Sequence, residues 1–285
     1  MKLPDYSTKN SSFFLPFSIS SFILLLCLLP CSCEKPEVTP VKDKITLIAK
    51  DLPGIMGVET DRIGNIWVSL SGTDIPDDQG DTHNDNGKVV VITPQGQVHD
   101  AIVHLSSYTN VHSGELQGTV HILLDGSILY ILSGDYLYRA DISRYKPGDA
   151  PIDAAKLPRE NIVTKIESIP SVYNPDMDSH PYHLTKGPRG DLYIADAGAN
   201  AILHRKGEND YVVFAEIPSL PNPFFPGMGG PDVQSVPTSI RFDGKNFFVT
   251  TLTGFPFPEG HVSVYKITPA GQLSVYQKDF TMLTG

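Results

Sequence analysis

The densest set of metal-ligating side chains in this chain is Asp74-Ile-Pro-Asp-Asp-Gln-Gly-Asp-Thr-His-Asn-Asp-Asn-Gly87, with five carboxylates in fourteen residues. Hard oxygen donors at alternating positions suit Ca²⁺, which makes Asp77, Asp78, Asp81 and Asp85 candidate ligands. His83 interrupts the oxygen series and no bidentate Glu follows, so a solvated acidic loop is the competing reading. A second group is imidazole-based: His180 and His183 in His-Pro-Tyr-His, with His112 and Glu115 upstream. Imidazoles and a carboxylate at converging strand starts could bind a metal or act as general acid and base. Their spacing alone does not bring them together, and a mixture of structural and solvent-exposed histidines is the favoured reading. Asp196 is expected to tie down its own loop backbone, as Asp does in turns. A third group is aromatic: Phe224 and Phe225 in one Pro/Gly-rich stretch, Phe255 and Phe257 in another. Four Phe in such stretches either cover one another or line an apolar ligand cleft. No Gly-x-Ser-x-Gly elbow, phosphate-binding loop or His-Glu-x-x-His occurs.

These groups sit between short apolar runs that come in fours. The first round is 54–60, 65–70, 88–92 and 98–105, and the second is 119–124, 128–132, 136–142 and 162–166. The third is 181–185, 192–195, 201–205 and 211–217, and the fourth is 237–242, 246–251, 261–267 and 273–280. The turn between the first two runs of each round carries Gly64, Gly126, Gly190 or Gly244, three of them beside an Asp. Ile92-Thr-Pro-Gln-Gly-Gln97 returns as Ile267-Thr-Pro-Ala-Gly-Gln272 between the third and fourth runs. Four strands per unit, repeated, with no long amphipathic helix, predict an all-β chain: a β-propeller of four-stranded antiparallel blades at about 54–105, 119–166, 181–217 and 237–280.

The stretch 45–53 has the pattern of a blade's outer strand but precedes the first blade. The expected ring therefore holds four complete blades plus an N-terminal outer strand, 45–49, of an absent closing blade. That makes it an open or incomplete five- to six-bladed ring within a domain of 45–285. Loops joining the second and third strands share one face with the links between blades, at 71–87, 106–118, 168–180, 219–236 and 253–260. The opposite face carries mostly tight turns, with 143–161 the long exception. Long loops on a rigid scaffold are where binding concentrates, so a small-molecule or protein partner is expected on the first face.

The N-terminus reads as an address. Lys2 and Lys9 precede an apolar, Ser-rich run at 13–29 that ends in Leu28-Leu-Pro-Cys-Ser-Cys33. A small residue before a Cys resembles a bacterial lipobox, which makes 1–33 a lipoprotein-type signal segment and Cys33 the lipidated residue. The alternatives are Cys31 or an uncleaved anchor. A polar tether follows at 34–44. All three cysteines lie in this segment, so the rest of the chain has no disulfide or Cys metal site. A net charge of −10, with 22 Lys and Arg against 32 Asp and Glu, argues against nucleic acid as a partner. The expected product is exported and held at the cell envelope (periplasm, outer membrane or surface), with the membrane engaged through the lipid.

Asp191-Leu-Tyr-Ile-Ala-Asp-Ala-Gly-Ala-Asn-Ala-Ile202 looks like an NHL-type blade. It is followed by Val236-Pro-Thr-Ser-Ile240 and by Thr251-Leu-Thr-Gly-Phe-Pro-Phe-Pro-Glu-Gly-His-Val-Ser-Val-Tyr265. In that order they resemble the ScyD/ScyE family of extracytoplasmic propellers, over about 52–285 and most specifically 191–276. Members of that family continue with further blades, which implies a C-terminal truncation here, and it supplies no catalytic residue set to carry over. Two functions from different classes follow. The first is an envelope-anchored binding or scaffold protein. The second is a metal-dependent propeller hydrolase, lactonase or lyase, with a Ca²⁺ or Zn²⁺ near the central channel.

Overall fold

The computed structural model describes residues 45–72, 82–109, 116–171, 173–175 and 177–284. The expected signal segment with Cys33 and the tether 34–44 lie outside these residues, as do Asp77, Asp78, Asp81, His112 and Glu115. Leu47–Gly285 forms one compact unit; of the other, Met1–Thr46, only Ile45 and Thr46 are described.

The chain is all-β apart from single helical turns. The first sheet is β1 (Ile55–Thr60), β2 (Ile66–Leu70), β3 (Thr82–Ile92), β4 (Val98–Thr109) and β5 (Leu116–Gln117), paired in that order. The second contains β6 (Thr119–Asp125), β7 (Ile128–Ser133) and β8 (Tyr136–Asp141). After β9 (Ile152–Asp153), which pairs in parallel with β4, it is completed by β10 (Arg159–Asn161). The helical turn α1 (Val163–Ile166) follows. The third sheet is β11 (Pro181–Lys186), β12 (Leu192–Asp196), β13 (Ala201–Gly207) and β14 (Asp210–Glu216). A two-stranded ribbon, β15 (Leu220–Pro221) with β16 (Asp232–Val233), leads to the fourth: β17 (Ser235–Phe242), β18 (Phe247–Thr253), β19 (Val262–Ile267) and β20 (Leu273–Phe280). Within each sheet the consecutive ladders are antiparallel.

Local chemistry explains the hairpins. The two Ile-Thr-Pro-x-Gly-Gln turns close with one pattern. Gly96 N–H donates to Thr93 O and Gln97 N–H to Thr93 Oγ1, as Gly271 does to Thr268 O and Gln272 to Thr268 Oγ1. Gly96 and Gly271 sit at φ 80° and 82°, a region that costs a residue with a Cβ about 1 kcal/mol or more. The inner-turn glycines Gly64, Gly126, Gly190 and Gly244 also have positive φ.

The sheets stack face to face, with a separate apolar core in each gap. Trp67, Val89 and Val91 of the first sheet meet Ile122, Leu129, Ile131 and Tyr138 of the second. Leu132 and Leu137 meet Leu184, Ile194 and Leu203 of the third, and Tyr193, Ala195 and Ile202 meet Phe247, Val249 and Tyr265 of the fourth. Fully burying each such large side chain is worth roughly 1.5–3 kcal/mol. Position in the stack sets the burial period. All of β12, between two neighbours, is buried on both faces, whereas β18 alternates buried and half-exposed residues because its outer face has no sheet against it among the described residues. Charged clamps join neighbours: Glu160 on β10 accepts from Arg205 Nε, Asn209 N and Tyr211 Oη across the second gap, and Lys186 pairs with Asp125 at 2.8 Å.

Three expectations are corrected. The outer strand of the second unit is β10, not 162–166. Ile162 and Ile166 are buried four residues apart, a helical spacing, and Asn161 Oδ1 accepts from Thr164 N to start α1. The stretch 45–49 is not a strand of any sheet; instead Ala49 and Leu52 pack on Val68, Leu70, Val90 and Ile92, covering part of the outer face of the first sheet. In the first sheet, β3 and β4 outrun their expected bounds of 88–92 and 98–105, so Asp85 lies on a strand rather than in a loop.

Candidate functional site

The first strand of every sheet, β1, β6, β11 and β17, carries a register break at the same place. It lies between Ile55 and Gly57, Thr119 and His121, Pro181 and His183, and Pro237 and Ser239. A bulge re-aims the side chains beside it. The four breaks line up around a cavity of about 470 Å³ bordered by Met56, His121, Tyr182, His183, Thr238 and Thr284. Thr238 Oγ1 donates to Leu283 O at 2.7 Å, which brings the chain after β20 back to the cavity rim.

Two histidines meet there. The His121 and His183 rings lie in contact with centroids 3.7 Å apart and planes tilted by 36°. Each Nδ1 accepts an amide N–H from the next sheet's first strand, His121 from Leu184 and His183 from Ile240, both at 3.4 Å. That arrangement puts the ring proton of each neutral imidazole on Nε2. Burial, with His183 adjacent, lowers His121 to about 2; burial, with Arg241 nearby, lowers His183 to about 4. Imidazoles this hard to protonate are poor general bases near neutral pH. Their chemistry is to stitch successive sheets together and to present N–H donors. Gly57 takes the equivalent place in β1, where a Cβ would come within 3.2 Å of His121 Cα.

His180, a candidate from the same His-Pro-Tyr-His stretch, lies at the loop end of that strand, edge-on to Tyr182 at 6.2 Å, outside the residues that border the cavity. Its backbone N–H donates to Asp196, which is fully buried and also accepts from Ser179 Oγ at 2.6 Å and Ala199 N at 3.0 Å. Burial raises the Asp196 carboxyl above its ordinary value. Asp196 thus organises the loop, as its sequence position implied. Asp85 is exposed on β3. Among the described residues, no group of three or more His, Cys, Asp and Glu is placed to hold a metal ion.

Of the four aromatic candidates, Phe224 and Phe257 line one groove, whereas Phe225 and Phe255 are not among its lining residues. The loop 219–236 is cross-braced by the β15–β16 ribbon and by buried Asn222, whose Nδ2 donates to Met228 O and Gly230 O while its Oδ1 accepts from Phe224 N. The loop 253–260 docks beside it through Gly254 N–H to Gln234 O. Phe224, Met228, Pro256, Phe257 and Glu259 then line a groove of about 380 Å³. Phe255 and Phe257 meet edge-to-face at 6.1 Å, yet Phe224, Phe225, Phe255 and Phe257 remain 50%, 51%, 64% and 59% exposed. Phe257 sits at φ 57°, held by its N–H bond to Gly254 O. A bulky residue there is strained by roughly 1–3 kcal/mol.

His121 is the residue that motif reading missed. It stands third in Thr119-Val-His, as His183 stands third in Pro181-Tyr-His, so superposing the first strands of the repeats would have found it.

No protein-family model and no curated protein sequence matches the chain. Solved structures with a similar strand arrangement include virginiamycin B lyase from Staphylococcus aureus, at 15% identity and TM-score 0.43, covering 82% of this chain and 58% of that one. A streptogramin B lyase matches at 16% and 0.43, covering 80% and 56%. A luciferin-regenerating enzyme matches at 16% and 0.43, covering 79% and 64%. This chain thus spans under two thirds of each of these proteins, and no residue role is carried over from them.

Proposed function

We propose that this chain is a binding protein of the cell envelope, anchored through Cys33, that takes a ligand on its long-loop face in the groove between 219–236 and 253–260. The carrying observation is Phe257: its backbone is strained and its ring is more than half exposed, two costs that stability alone does not explain. The groove volume of about 380 Å³ falls within the range of small-molecule sites. The loops that form it are braced in advance, which lowers the ordering cost of binding. The channel histidines support a binding role over catalysis, because both Nδ1 atoms are committed to amides of the next sheet.

The architecture proposed with this function is a propeller arc of four blades, related to the ScyD/ScyE family. Its two ends differ from its interior. The first strand exposes Ile55, Met56 and Val58, and the last exposes Val275 and Tyr276. A thermal-shift screen of soluble aromatic fragments tests the function. Hits on the wild type should vanish in Phe224→Ser/Phe257→Ser and persist in His121→Asn/His183→Asn. The opposite pattern would move the site to the channel and overturn the proposal.

A further inference from the structure

We infer that the groove selects a small organic cation: an ammonium group carried on an apolar body. The inference rests on the binding reading above and adds the chemical class of the ligand. Both loops that build the groove carry carboxylates, Asp232 and Glu259, and neither carries a Lys or Arg. Glu259 is part of the groove wall, beside Phe224 and Phe257. Aromatic faces attract cations through their quadrupole, and the attraction grows as the cation is desolvated between rings. The remaining wall is Met228 and Pro256, a polarizable thioether and an apolar ring, which can cover a methylated ammonium without asking for hydrogen bonds.

The strained Phe257 backbone fits this role. A left-handed residue in the Gly254–Phe257 turn presents a side chain where Gly, the relaxed choice, would present none. The ring is therefore held at the groove at a cost in local stability. Phe224 supplies the second ring of the groove lining, while Phe255, which is not one of the lining residues, braces Phe257 edge-to-face. Two rings and an acidic residue in one lining suit a compact positive group better than a neutral planar one.

The test uses the full-length chain with ¹³C-methyl-labelled Met, reading the Met228 methyl signal. Benzyltrimethylammonium is titrated against neopentylbenzene, its uncharged carbon isostere, and benzenesulfonate. The cation should shift Met228 and bind at least about tenfold more tightly than the isostere, and the sulfonate should leave the signal in place. Affinity for the cation should fall severalfold in Glu259→Gln and again with added salt. Equal affinity for cation and isostere at Met228 would overturn the charge selection while leaving the groove itself as a site. No shift of Met228 by either would overturn both readings.

Discussion

Lowering the pH from 7.0 to 5.0 should destabilise the fold through the paired channel histidines. Both have folded-state values below the ordinary 6.5, His183 at about 4 and His121 at about 2, with burial the leading cause in each. Their contribution is therefore fully present above pH 6.5. It is lost as the pH falls, because the unfolded chain takes up protons that the folded chain refuses; the loss runs on to about pH 4 for His183 and about 2 for His121. Each imidazole costs about 1.4 kcal/mol per pH unit in that window. Both rings are partly open to the cavity, so screening reduces the sum. The expected loss at pH 5.0 is about 2–4 kcal/mol, a large share of a typical domain's ~5–15 kcal/mol. Urea unfolding at the two pH values measures it. The control is His121→Asn/His183→Asn, in which an amide oxygen replaces Nδ1 as acceptor and nothing titrates. Glu59, raised by burial against the pull of Arg241, is common to both proteins and cancels. The wild type should lose at least 2 kcal/mol more than the variant. Equal losses, or two wild-type ring signals titrating near 6.5 by NMR, would refute the assignment of neutral, amide-bonded imidazoles.

Phe257→Gly should raise stability by about 1 kcal/mol in urea unfolding, since Gly relaxes the left-handed backbone, while abolishing fragment binding; destabilisation would show that the ring is a packing element. Glu160→Ala should cost about 3 kcal/mol, because it strands the Arg205 guanidinium and the Asn209 amide in the second gap. A loss below 1 kcal/mol would show that the clamp is dispensable. Burial pushes Glu160 up, but its donors, led by Arg205, outweigh this and hold it below the usual carboxylate range. Its contribution should therefore be fully present above the unfolded-state value, fade as the pH falls below that value, and be gone once the folded carboxylate is protonated. Lipid-precursor labelling should mark the wild type and not Cys33→Ser, and equal labelling of both would refute the anchor.

Much of the architecture was legible because it depends on local chemistry that repeats. A turn glycine recurs in all four sheets, the Ile-Thr-Pro-x-Gly-Gln hairpin occurs twice, and period-two apolar runs mark most strands. What was not legible depends on contacts between sheets. The register breaks beside Gly57, His121, His183 and Ser239 add a residue without changing composition, so nothing in the sequence announces them. His121 reads as an ordinary strand residue until β11 brings His183 over it. The run 162–166 is apolar enough for a strand, and only the burial of Ile162 and Ile166 on one side reveals the helical turn. The aromatic groove was half legible: four Phe in two loops were visible, but the convergence of two of them, Phe224 and Phe257, with Met228 and Glu259 rests on Asn222 and the short β15–β16 ribbon.

The two candidate sites each hold a methionine, Met56 at the channel and Met228 in the loop groove. The most direct test of binding on the loop face is to follow both methyl signals of the full-length chain against a soluble fragment library. Ligands that move Met228 and leave Met56 in place are the predicted result; ligands that move Met56 alone would contradict it and put the site in the channel.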